Sequence, residues 1–119
     1  MGRDLDERLL DYGVRIVKLV SALPKTIVAK RVGDQLLRSG ISVGAHYQEA
    51  QAAESRDDFI HKLQVALKEL RESNYWLQLA SRAAIIPPKL LTPILDESAQ
   101  LRAILSKAVA TAKQRNPTE

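Results

Sequence analysis

The chain contains no cysteine, which excludes disulfides and thiolate metal sites as a source of stability. Aromatic residues make up only 4% of the 119 positions, so a core must be assembled mainly from Leu, Ile, Val and Ala. No uncharged run approaches the roughly 18 residues needed to cross a bilayer. The opening Met1-Gly2-Arg3-Asp4-Leu5-Asp6 lacks the apolar stretch of a secretory leader, and Asp6 stands where a myristoylation signal wants Ser or Thr. A reducing, cytoplasmic setting without membrane contact is therefore expected. Catalytic signatures are missing as well: there is no Gly-x-Ser-x-Gly elbow, no phosphate-cradling glycine loop and no dinucleotide fingerprint. The expectation is a protein that is not an enzyme and carries no cofactor.

What the chain does have is spacing. Four stretches place apolar or small residues at alternating intervals of four and three: Leu5, Leu9, Tyr12, Ile16, Leu19, Leu23; then Val32, Leu36, Ser39, Val43, His46, Ala50; then Phe59, Leu63, Ala66, Leu70, Ser73, Leu77, Ala80; and finally Ile94, Ser98, Leu101, Leu105, Ala108, Ala112. That alternation keeps one seam of a helix facing its neighbours. His46 is the one misfit. Pro24 closes the first helix and Ser55-Arg56-Asp57-Asp58 opens the third, with serine as N-cap and acid three residues on. Ala83 to Pro88 make the last break. Pro93 then allows either a restarted helix at Thr92-Pro93 or a kink. Helices are predicted at about 4–22, 26–53, 56–82 and 88–113, within a single domain over 1–119. Short connections force neighbours antiparallel, so the predicted fold is an all-α, up-down-up-down four-helix bundle.

Such a bundle needs one apolar stripe per helix, and here the first helix has two. Leu10, Val14 and Val17 fall opposite the Leu5–Leu23 seam, Leu37 and Ile41 lie beside the main seam of the second helix, and Trp76 lies off that of the third. Isolated apolar residues on a surface are ordinary. A stripe of three opposite the core is better explained by a surface that another copy covers, so these six residues are the predicted self-association interface. The small stretch Ser39-Gly40-Ile41-Ser42-Val43-Gly44-Ala45 is weak in helix propensity and points to close backbone approach by another helix.

Net charge is +4, unevenly spread. Lys30, Arg31 and Arg38 fall in a stretch with one acid, Asp34, and Arg102, Lys107, Lys113 and Arg115 fall in one with none. Those seven cations are the candidate contacts to RNA or DNA phosphate. Glu69 and Glu72 are expected to pair with Lys62, Lys68 and Arg71 on their own helix. His46 and Glu49 are spaced i, i+3, but a di-iron bundle needs Glu-x-x-His on two helices with further inward glutamates. No metal site is predicted.

Gln35-Leu36-Leu37-Arg38-Ser39-Gly40-Ile41-Ser42-Val43-Gly44-Ala45-His46-Tyr47-Gln48-Glu49-Ala50 resembles a motif of the four-helix-bundle proteins encoded within intervening sequences of bacterial 23S ribosomal RNA genes. Ser55-Arg56-Asp57-Asp58-Phe59 resembles the opening of that family's third helix, Glu69 matches a later glutamate, and Leu23-Pro24 resembles its first turn. His46 replaces the usual Asn, Ala50 the usual Gly, and Leu37 one of two paired arginines. The resemblance implies a homopentameric ring of bundles. The family is also similar to the accessory (variability determinant) protein of diversity-generating retroelements, which partners a reverse transcriptase and nucleic acid. The function expected on these grounds is a non-enzymatic oligomeric scaffold that binds nucleic acid, or a nucleic-acid enzyme, through basic surfaces. The alternative is a protein-binding adaptor, such as a reverse-transcriptase accessory protein, with no nucleic-acid affinity of its own.

Overall fold

The computed structural model describes residues 2–114. Four helices follow one another, α1 (Gly2–Ser21), α2 (Ile27–Gln51), α3 (Arg56–Arg82) and α4 (Pro88–Gln114), and there is no strand among the described residues. Each packs on the next in sequence, and α4 returns to α1, the loosest of the four seams. The result is an up-down-up-down rod of 54 × 21 × 21 Å.

Local chemistry sets the helix ends. Thr26 accepts a hydrogen bond from the Ala29 N–H, and Ser55 accepts one from the Asp58 N–H, both at 3.1 Å. Each satisfies a backbone donor that the first helical turn leaves orphaned. The carboxylate of Asp58 turns away to Lys62, at 3.1 Å. At the end of α3 the Ile85 N–H bonds the Ala80 carbonyl and the Ala84 N–H bonds the Ser81 carbonyl, which is a Schellman turn. Its left-handed residue is Ala84, at φ 56°. A Cβ is disfavoured there, so Ala84→Gly is expected to raise stability by about 0.5–1 kcal/mol, read as a higher urea midpoint at unchanged slope.

α4 is one helix from Pro88 onward, with Pro93 inside it, so no restart at Thr92-Pro93 is found. Pro88 occupies the first helical position, where a missing N–H costs nothing. Pro93 forfeits only the bond to the carbonyl of Lys89, an exposed residue whose oxygen water can reach.

The core follows the predicted seams with two shifts. Leu9, Tyr12, Ile16, Leu36, Val43, Leu63, Leu70, Leu77, Leu101 and Leu105 are fully enclosed. In α2 the inner position goes to Tyr47, while His46 is half-buried and makes no side-chain hydrogen bond among the described residues. Four residues on from Val43 lies a larger, more apolar ring than three residues on, and the helix turns that way. In α4, Val109 takes the inner place and Ala108 lies half-buried, for the same reason of apolar area.

A polar layer crosses this core. Tyr12 and Ser73 share a 2.7 Å hydrogen bond, Asn74 donates to Ser98 at 3.1 Å, and Gln78 donates to Asn74 at 2.7 Å. Burial pushes the Tyr12 hydroxyl pKa up, opposed by its hydrogen bonds to Ser73 and Ser98. No buried side-chain polar atom among the described residues is left without a partner.

Candidate interaction surfaces

The outer stripe of α1 is exposed: Leu10 is 64% accessible, Val14 43% and Val17 44%. Ile41 on α2, 46% accessible, joins them in one open groove floored by Gly13, Gly44 and Ala45. Asp6 and Glu7 stand at one end of the groove and Lys18 at the other. The groove exists because α1 and α2 approach closely. Leu9 and Ile16 face inward over Gly44 and Gly40, and that sets Leu10, Val14 and Val17 outward on the intervening turns.

The structure brings together four of the six residues predicted for self-association. Leu37 is half-buried and does not line the groove. Trp76 is half-buried against the core, edge-to-face with Tyr75 at 5.1 Å, and its indole N–H bonds Glu72 at 3.1 Å. That contact gives the tryptophan an intramolecular packing role.

The seven cations predicted for nucleic acid do not form one patch. Lys30 lies in the first turn of α2 and Lys113 in the last turn of α4, roughly 30 Å apart along the rod at 1.5 Å per residue. Arg102 lies between them, exposed, and Lys107 is exposed toward the far end. Arg38 bonds Glu69, at 3.2 Å, and Glu72 across the α2–α3 seam. Those glutamates therefore find their cation on the neighbouring helix, where only Lys62, Lys68 and Arg71 of their own helix were expected. Arg115 lies outside the described residues.

The end of the rod carrying Lys107 and Lys113 has a recess of about 760 Å³ between α1, α3 and α4. Leu5, Phe59, Ile104 and Ala108 line it, with Arg8, Arg56 and Lys107 at its edge. Two of those cations are engaged. Arg56 donates to the Ala112 carbonyl, and Arg8 grips Glu97 through two bonds, at 2.8 and 3.1 Å. The Arg8 guanidinium holds the Glu97 carboxyl below its ordinary value of 4.5. No group of three metal-ligating side chains gathers among the described residues, and no described helix is long and apolar enough to cross a membrane.

Sequence reading missed the opposite end of the rod. Lys25, Arg82 and Lys89 are exposed there beside Lys30 and Arg31. The signal was present as two acid-free stretches, 18–33 and 73–95, but their adjacency is a product of the antiparallel topology.

Comparison with known proteins places this geometry. Residues 7–107 match the family described as 23S rRNA-intervening sequence protein. The crystal structure of a protein of unknown function from the S23 ribosomal protein family of Bacteroides thetaiotaomicron is similar at 37% identity and a TM-score of 0.77, over 88% of this chain and 97% of that one. No curated protein matches. With the family match spanning most of the four antiparallel helices and a 37% identical structure of the same fold, the chain belongs to the family of 23S rRNA-intervening sequence proteins.

Proposed function

We propose that this protein is a non-enzymatic scaffold that assembles from several copies through the α1–α2 groove and presents basic surfaces to nucleic acid or to a nucleic-acid enzyme. The observation that carries the reading is the exposed set Leu10, Val14, Val17 and Ile41 in a single groove. Covering the exposed half of such a side chain contributes about 1–2 kcal/mol, and the contributions of four on each copy together offset the cost of ordering two bodies. The family resemblance supplies the number of copies, five. A second copy fits the groove better than a small ligand does, because the groove is shallow and open and its walls are mainly apolar, with Asp6, Glu7, Lys18 and Gln48 as the charged or polar residues that line it.

Light scattering at micromolar concentration tests this. The wild type is expected as an oligomer, and Val14→Glu as a monomer with unchanged helical circular dichroism, since Val14 is 43% exposed and lies outside the core cluster. A wild-type monomer, or an unaltered Val14→Glu oligomer, would remove the groove from the assembly. The adaptor reading is distinguished by RNA retardation: an adaptor captures a partner protein, insensitive to salt, and leaves RNA mobility unchanged.

A further inference from the structure

The antiparallel topology gathers charge that the sequence scatters. Residues 18–33 and 73–95 hold six basic side chains, Lys18, Lys25, Lys30, Arg31, Arg82 and Lys89, and no acidic one. The remaining positions hold 12 basic against 14 acidic residues. All six lie within the last turn of α1 or α3, the first five residues of α2 or α4, or the α1–α2 connection, at one end of the rod. That end measures only about 21 by 21 Å. All six are exposed, and the ion pairs among the described residues, Arg8–Glu97, Arg38–Glu69, Arg38–Glu72 and Lys62–Asp58, lie elsewhere. The nearest acids along α2 and α4, Asp34 and Asp96, sit roughly two turns in, about 10 Å below the tip.

The other end is different. The acid-free last third of α4, with Lys107 and Lys113, shares its end of the rod with Asp4, Asp6 and Glu7 of α1, Glu49 of α2, and Asp57 and Asp58 of α3, alongside the cations Arg8, Arg56 and Lys62. A basic run in sequence becomes a mixed surface in space. A phosphate approaching that end meets carboxylates from three helices. At the first end it meets none.

We infer that the α1–α2/α3–α4 end is the nucleic-acid-binding surface, and that its ligand is the phosphodiester backbone, held by charge without reading of sequence. The inference rests on the nucleic-acid reading proposed above and names its site. Charge density supports the match: duplex DNA carries one negative charge per ~1.7 Å, so a 21 Å span offers about a dozen phosphates to six cations. Side-by-side copies joined through the α1–α2 groove in parallel would present these ends on one plane, which multiplies the contact.

Two triple variants, equal in charge change, decide it: Lys25→Glu/Lys30→Glu/Lys89→Glu at this end and Arg102→Glu/Lys107→Glu/Lys113→Glu on α4. The probes are a fluorescein-labelled 20-nucleotide single-stranded RNA and a DNA duplex of the same length, read by anisotropy at 50 and 200 mM KCl. Wild-type affinity for RNA is expected to fall roughly 300-fold between the two salts, as about six cations at ~0.7 ions each require. The first variant is expected to lose at least about 30-fold at 50 mM and to show a shallower salt dependence, the second to lose less than about 3-fold. Circular dichroism and light scattering confirm fold and assembly, and the corresponding glutamine triple repeats the test without reversed charge. Equal or greater loss in the α4 variant would overturn the site while leaving nucleic-acid binding standing. No wild-type binding to either probe would overturn the site and the function reading together. Equal wild-type affinity for polyglutamate of matched charge would replace nucleic acid with an acidic protein.

Discussion

Gly40→Val is expected to unfold the chain, or to lower its stability by more than about 3 kcal/mol in urea denaturation. A Cβ placed on Gly40 would lie 2.7 Å from Cγ1, 2.9 Å from Cγ2 and 3.2 Å from Cβ of Ile16. Ile16 cannot move aside, because it is wholly buried and a β-branched side chain in a helix has essentially one rotamer. The remaining escape is for α1 to lift off α2, which opens the core along Leu9, Tyr12 and Ile16. Alanine at this position already meets the clash, set against about 1 kcal/mol of helix propensity gained; valine adds two methyl groups to the same gap. Gly44→Ala is the comparator. Its Cβ would meet Leu9 at 3.6 Å, an ordinary contact, so that variant should melt no lower than wild type as a folded protomer. Equal melting of Gly40→Val and wild type would mean that the two helices do not pack at this distance.

Asn74→Asp is the second large effect, with a loss of about 2–4 kcal/mol at pH 7. Asn74 is buried on α3 between Ser98, to which it donates, and Gln78, from which it accepts. An aspartate keeps the shape but brings a carboxylate into a buried layer where its hydrogen-bond partners, Ser98 and Gln78, are both neutral. Its folded-state pKa is therefore raised above its unfolded value near 3.9. A group shifted in that direction costs nothing below the unfolded pKa and destabilises increasingly as pH rises above it. Glu97 works in the opposite sense in the wild type. Its pKa is lowered chiefly by the Arg8 hydrogen bond, so its stabilisation is present above about 4.5 and lost as pH falls below that. The difference in urea midpoint between the variant and wild type should thus shrink from pH 7 to pH 4. A difference independent of pH would show the layer open to water.

The four helices and their inner seams were legible because a 4-3 spacing has one structural solution, and Thr26, Ser55 and Pro24 mark ends by local chemistry alone. The choice between His46 and Tyr47 was not legible, since three and four residues from Val43 both keep a seam, and only the neighbouring helices decide which ring they admit. Ala84 concealed a turn for a related reason. The left-handed position normally announces itself with glycine, and here an alanine holds it. For the surfaces, the outward stripe on α1 could be read directly, because both of its faces belong to one helix. The pairing of Arg38 with Glu69 and Glu72 could not, since it joins residues more than thirty positions apart. The basic end of the rod was half visible, in Lys30 and Arg31. Its other half comes from the α3–α4 turn and enters only with the topology.

α1 alternates its allegiance residue by residue: Leu9 and Tyr12 inward, Leu10 and Val14 outward, Ile16 inward, Val17 outward. Adjacent residues on a helix are about 100° apart, so one inserted or deleted residue in the middle of α1 would swing every later side chain by that angle. Tyr12 and Ile16 would leave their pockets while the outward valines lost their alignment, and both roles would be damaged at once. The number of residues in this helix is thus held as tightly as their identity.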